Sequence, residues 1–204
     1  AMSEKALALL QAAGSRPGVA LVLENLGLIE GAAGRPDAGL ARLHDAVAVA
    51  REIGSLAREA SALVHLGQLQ TVQGSLADAA ASLDAAQALM PSLDNPPLAL
   101  ELDAAQAQRL DALGAADASA RLEPLLPHLL AEPEADAPCL PIALYTTAWQ
   151  VLKAAGDPRT AAVAHSSRRE LMARAERIPD AEARRDFLAV AEHRWILTEP
   201  TDDR

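Results

Sequence analysis

Aromatic side chains are nearly missing from this chain of 204 residues, which holds one Tyr, one Phe and two Trp. A β-sandwich builds its core on Val, Ile and aromatic rings. An apolar half made mainly of Ala and Leu favours helices packed closely through small side chains. Cysteine occurs once, at Cys139, which excludes a disulfide framework or thiolate metal site within one chain and fits a reducing compartment, the cytoplasm by default. No apolar run reaches the roughly 18–20 residues of a membrane span. The first fourteen residues lack a basic leader with a continuous apolar core, so no export signal is expected; Ala1, ahead of Met2, reads as a tag-removal scar. Unopposed clusters of cations are also lacking. The formal charge of -10 argues against nucleic acid or an anionic membrane as the primary partner and leaves a basic partner open.

The motifs of catalysis are missing too. There is no GxxxxGK[ST] loop and no GxGxxG fingerprint, so any ATPase would have to lie outside this segment, and Gly31 to Gly34 reads as a helix end. His44, His65, His128, His165 and His193 are scattered, with none in a His-x-x-x-His, His-Glu-x-x-His or Cys-x-x-Cys arrangement, so no metal site is expected. His44 and Asp45 are adjacent, which on a helix points them about 100° apart. No motif places a nucleophile, so the chain is read as a non-enzyme without cofactor.

What is present is periodicity. From Ala60 to Pro91, Leu63, Leu66, Gly67 and Gln70 share one face of a predicted helix; Gly74 ends it, Ser75 is placed to cap a second helix, Ala79, Leu83 and Ala86 form a stripe on that helix, and Pro91 stops it. Forty residues earlier stands a copy: Leu23, Leu26, Gly27, Glu30, Gly34, Gly39, Leu43 and Ala46. Gly14, Gly54 and Gly114 keep the step, and Gly156 keeps it to within two. The order of large and small residues resembles a tetratricopeptide repeat, whose usual step is about 34 residues; helices longer by close to a turn would supply the difference. The resemblance implies an all-α, right-handed solenoid: a half repeat over 3–14, repeats over about 17–54, 56–91, 96–131 and 139–176, a capping helix over 179–197 and a frayed tail over 198–204. Starting mid-repeat, the chain is expected to be a piece of a longer protein or to have its end covered by another chain, a homodimer included.

The third copy carries Pro124 and Pro127, which predict a kinked or shortened helix; Ala131 to Pro138 reads as an acidic, proline-broken loop. In the fourth, Asp157 and Pro158 mark a restart with Asp157 as cap. The aromatic residues Tyr145, Trp149, Phe187 and Trp195 all lie toward the C-terminus and are expected to fill the join to the capping helix. Arginines from Arg168 to Arg194 alternate with Glu and Asp, which predicts a salt-bridged face in place of a nucleic-acid stripe. The closing segment, with Pro179, Asp180, Arg184, Arg185, Phe187, Leu188, Glu192, His193, Arg194, Ile196 and Leu197, resembles the end of the helical-repeat region of bacterial multidomain ATP-switch transcriptional regulators.

In tetratricopeptide arrays the first helices line the concave surface. The matching positions are Leu21, Glu24 and Leu28; Ser61, Val64, Gln68 and Thr71; Glu101, Ala104, Gln108 and Asp111; and Ala143, Thr146, Gln150 and Lys153. Leu21, Glu24, Leu28, Val64, Gln68, Thr71, Gln108 and Gln150 are the partner-contacting set this implies. The single Lys among these positions does not support clamping of a terminal carboxylate. The resemblance thus implies a non-catalytic protein-interaction module, the C-terminal scaffold or sensor part of a regulator, bound to a protein, a peptide or another domain of its parent chain, with no direct contact to nucleic acid or membrane. The alternative is a sensor of a small molecule or signalling peptide in the same groove.

Overall fold

A computed structural model describes residues 2–131 and 140–198. Among these residues the regular structure is helical, with no strand: α1 Met2–Ala12, α2 Arg16–Ala32, α3 Pro36–Glu52, α4 Leu56–Val72, α5 Leu76–Leu89, α6 Pro96–Ala112, α7 Leu126–Leu130, α8 Ile142–Ala154, α9 Thr160–Glu176, α10 Ala181–Ala189 and α11 Ala191–Thr198. Short 3-10 turns cover Met90–Ser92 and Ala118–Leu122. No described helix is long and apolar enough to cross a membrane. The chain divides into two compact units, Ala1–Leu113 and Gly114–Arg204.

The first unit is punctuated by glycine. Gly34 and Gly74 have φ of 74° and 79°, the left-handed region, and each ends its helix with a backbone bond from the following residue to a carbonyl five residues back: Arg35 N to Glu30 O at 2.9 Å, Ser75 N to Gln70 O at 2.9 Å. The same closure ends α1, α3 and, in the second unit, α8. It also explains why Ser75 makes no side-chain cap. Its backbone, at ψ 60°, serves the termination of α4, and the hydroxyl bonds no N–H of α5. Asn95 does cap, accepting from Leu98 N at 3.2 Å ahead of Pro96 and Pro97.

Each helix from α1 to α6 packs on the next, and α4 also packs on α2 and α6, so the odd-numbered helices α3 and α5 stand behind a layer of α2, α4 and α6. The small residues set the separation. A Cβ on Gly39 would lie 2.8 Å from Gly27 O, and one on Gly67 would lie 2.6 Å from Leu83 Cγ, so α2 against α3 and α4 against α5 approach at distances only glycine permits. Leu43 and Leu83, fully buried, fill the hollows over Gly27 and Gly67. Inside the second hairpin the buried Ser82 hydroxyl donates to Gln70 Oε1 at 2.7 Å, so the polar member of the repeated pattern is satisfied.

In the second unit the prolines act as expected. In place of one long helix stand the 3-10 turn and the five residues of α7. The expected loop over Ala131 to Pro138 lies, apart from Ala131, outside the described residues, as does Cys139. Two expectations need correction. Asp157 does not cap α9, which begins later: its carboxylate accepts from Arg159 N at 2.8 Å and grips the Arg159 guanidinium, which also reaches Glu123 at 2.8 Å. Those Arg159 bonds hold the Asp157 acid at about 2.

The closing helix is two helices, broken at Val190 (ψ 134°). The carbonyls freed there are not left bare: Arg194 Nε donates to Ala189 O at 3.1 Å and the His193 ring meets Phe187 O at 2.6 Å. Asp180 caps α10, accepting from Ala183 N at 2.7 Å.

The arginines of the C-terminal third serve backbone as well as carboxylates. Arg174 pairs with Glu170 at 2.7 Å, but Arg168, Arg169, Arg184 and Arg194 also serve carbonyl oxygens at helix and loop ends, including Ala131 O from Arg169 at 2.7 Å. A planar fork with several donors suits that task. The aromatic join forms as expected: Trp149 and Trp195 stack with centroids 4.3 Å apart, Trp195 Nε1 donates to Thr146 Oγ1 at 3.2 Å, and Phe187 and Trp195 pack against Ile142, Leu171 and Ile196.

Candidate functional site

The layer of α2, α4 and α6 carries a polar row that crosses all three helices. Glu24 on α2 is buried, an unfavourable place for a carboxylate without partners. It has three. The Ser61 hydroxyl donates to Oε1, His65 Nδ1 lies 2.9 Å from the same oxygen, and Arg58 stands 3.9 Å from Oε2, all from α4. The far side of the imidazole faces α6, with Nε2 3.7 Å from Glu101 Oε2. Ser61 and His65 share a face of α4 because they are four residues apart, and Ala62 and Leu66, one position on, are buried beside them.

The two carboxylates are driven in opposite directions. Burial pushes the Glu24 acid up, but hydrogen bonds from His65 and Ser61 and the charges of His65 and Arg58 outweigh it and hold it below the ordinary value. Burial pushes Glu101 up, His65 opposes and Glu24 adds repulsion, so it stays raised. The pH dependence follows. Glu24, depressed on folding, contributes stability above its unfolded value of about 4.5 that is lost as pH falls through the lower folded value. Glu101, raised, favours the fold while protonated, a contribution lost as pH rises from about 4.5 through the folded value.

Thermal unfolding of Glu101→Gln and Glu24→Gln at pH 4 and pH 7 checks this. Relative to wild type, Glu101→Gln is expected to fare better at pH 7 than at pH 4. Glu24→Gln is expected to be the more damaging at pH 7. Parallel shifts at both pH values would contradict the assignment.

The positions chosen from sequence divide sharply. Leu21 and Leu28 are exposed, at 38% and 41%, one turn either side of Glu24. Gln68 and Gln108 are half-buried on α4 and α6. Val64 and Thr71 are buried: Val64 lies within the core, and the Thr71 hydroxyl donates to Gly67 O at 2.8 Å within its own helix, so neither is presented to a partner. Val72, 70% exposed, stands where Thr71 was expected and lies seven residues after His65, two turns along one face. Gln150, on α8 of the second unit, is exposed.

His65 is the residue that sequence reasoning missed. Its signal was present but faint, a histidine four residues after the groove position Ser61. No group of three His, Cys, Asp or Glu among the described residues has metal-binding geometry. Comparison with family models, with curated proteins and with solved structures finds no match to this chain.

Proposed function

We propose that the chain is a non-catalytic docking module whose first unit presents the layer of α2, α4 and α6 to a protein partner. The observation that carries this reading is a mixed surface on one layer: exposed Leu21, Leu28 and Val72 alternate with half-buried Gln68, Gln108 and Glu101 around a polar row fixed by internal bonds. An apolar surface interleaved with amides and anchored charges gives a partner both area and orientation.

The resemblance to tetratricopeptide arrays supports the same reading, with the chain as the scaffold or sensor portion of a bacterial ATP-switch regulator held in the cytoplasm. The 40-residue step, the glycine-ended helices and the three-helix layer are consistent with such an array. In the second unit, Gln150 is exposed on α8, and the closing helices are read as the capping segment that the resemblance implies.

The test is a pair of charged substitutions, Leu28→Glu and Gln68→Glu, set against Asp84→Lys on the exposed side of α5. Co-purification with the tagged full chain at native expression is expected to lose one specific protein for the first two and to keep it for the third. Equal recovery with all three, each with wild-type helicity, would reject the face.

A further inference from the structure

The docking layer has an unbalanced charge. On α6, Glu101 is 21% exposed and faces only the His65 imidazole, at 3.7 Å, with no hydrogen bond to its carboxylate among the described residues. Ten residues on, and about 80° round the helix, Asp111 is half-buried with no cationic partner among the described residues, and burial pushes its acid up. Of the cations on these helices, Arg58 is turned to Glu24 and Arg16 pairs with Glu52, while Arg109, two residues before Asp111, projects about 160° away from it around α6. At 1.5 Å per residue the two carboxylates stand about 15 Å apart along α6. Of the exposed apolar residues, Leu21 and Leu28 are seven apart, two turns along one face of α2, and Val72 stands at the C-terminal end of α4.

We propose that this face takes a basic amphipathic helix of a partner protein, with two Lys or Arg side chains over Glu101 and Asp111 and its apolar stripe over Leu21, Leu28 and Val72. The inference rests on the docking reading above and adds the chemistry of the occupant. A cation laid on a half-desolvated carboxylate relieves a cost the free module already carries, so charge complementarity here adds affinity as well as orientation. Residues eleven apart on a helix lie on one face at about 16 Å, which matches the separation of the two acids along α6, and flexible Lys or Arg stems span their offset around it. An acidic helix would instead add repulsion at both positions.

The probe is a fluorescein-labelled 18-residue helix of Leu, Ala and Gln with two Lys eleven apart, compared with the same peptide carrying Glu or Gln at those two places. Anisotropy with the full chain is expected to show binding of the Lys peptide that weakens with salt. It is also expected to fall about tenfold in the Glu101→Gln, Asp111→Asn double variant and to be lost in Leu28→Glu. The single variant Glu101→Gln, expected to keep the fold, gives part of the loss if the double variant unfolds.

Failure of the Lys peptide to bind, or equal binding of the Lys and Glu peptides, overturns the proposal. If the Lys and Gln peptides bind equally and Leu28→Glu abolishes both, the occupant is apolar: the docking face stands and its basic partner does not. If Leu28→Glu has no effect on a bound Lys peptide, the peptide sits elsewhere and both readings fall.

Discussion

Leu83→Ala is expected to destabilise the first unit by about 3 kcal/mol, within the roughly 2–5 kcal/mol typical of a buried Leu→Ala change, with a fall in Tm on the order of 10–20 °C. The side chain is 1% exposed and its Cγ would stand 2.6 Å from a Cβ at Gly67, so it occupies the hollow that the glycine leaves between α4 and α5. Truncation empties that hollow. Two helix backbones already in close approach have little further room to collapse, which places the cost away from the low end of the range. Leu43→Ala over Gly27 is expected to behave alike, since the pair repeats forty residues earlier. Chemical denaturation with unchanged m-values is the measurement, and a loss below about 1 kcal/mol would show that the hollow refills.

The second large effect comes from adding one carbon. Gly39→Ala improves helix propensity by about 1 kcal/mol, yet the new methyl would meet Gly27 O at 2.8 Å, Leu69 Cδ2 at 2.8 Å and Gly31 N at 3.1 Å. Two of those three atoms are backbone and cannot rotate away, so α2 and α3 must separate. The net expectation is a loss of about 2 kcal/mol. Gly31→Ala is the control, because there the methyl meets only the Leu69 side chain, nearest at 3.1 Å. Its effect is expected to be within about 0.5 kcal/mol of zero, and equal losses from both substitutions would show that propensity or the unfolded state, not the crossing, sets the result.

Both predictions lean on features legible in the sequence, because close helix packing leaves a coarse trace. Large and small residues must alternate at fixed intervals, and Gly27, Gly67, Leu43 and Leu83 can be read directly from that interval. Helix ends were legible for the same reason, wherever a glycine at positive φ was required. What could not be read were features decided by a single competing bond. Asp157 had the look of a cap until Arg159 claimed it, and the closing helix looked continuous until the His193 and Arg194 side chains stabilised a break at Val190.

The candidate site was legible as a face but not residue by residue. A helical face about three residues wide includes inward and outward members, and Val64 and Thr71 fell on the inward side while Val72 fell outward. His65 escaped because its significance lies in contacts to residues 41 positions before and 36 after it, which no local spacing encodes.

The central claim, that the layer of α2, α4 and α6 is where this chain meets another protein, is tested most directly by site-specific photocrosslinking in cells. A photoreactive residue at Gln68 is expected to yield one discrete crosslinked protein that is missing when the same residue replaces Asp84. Crosslinks from Asp84 and none from Gln68 would contradict the account.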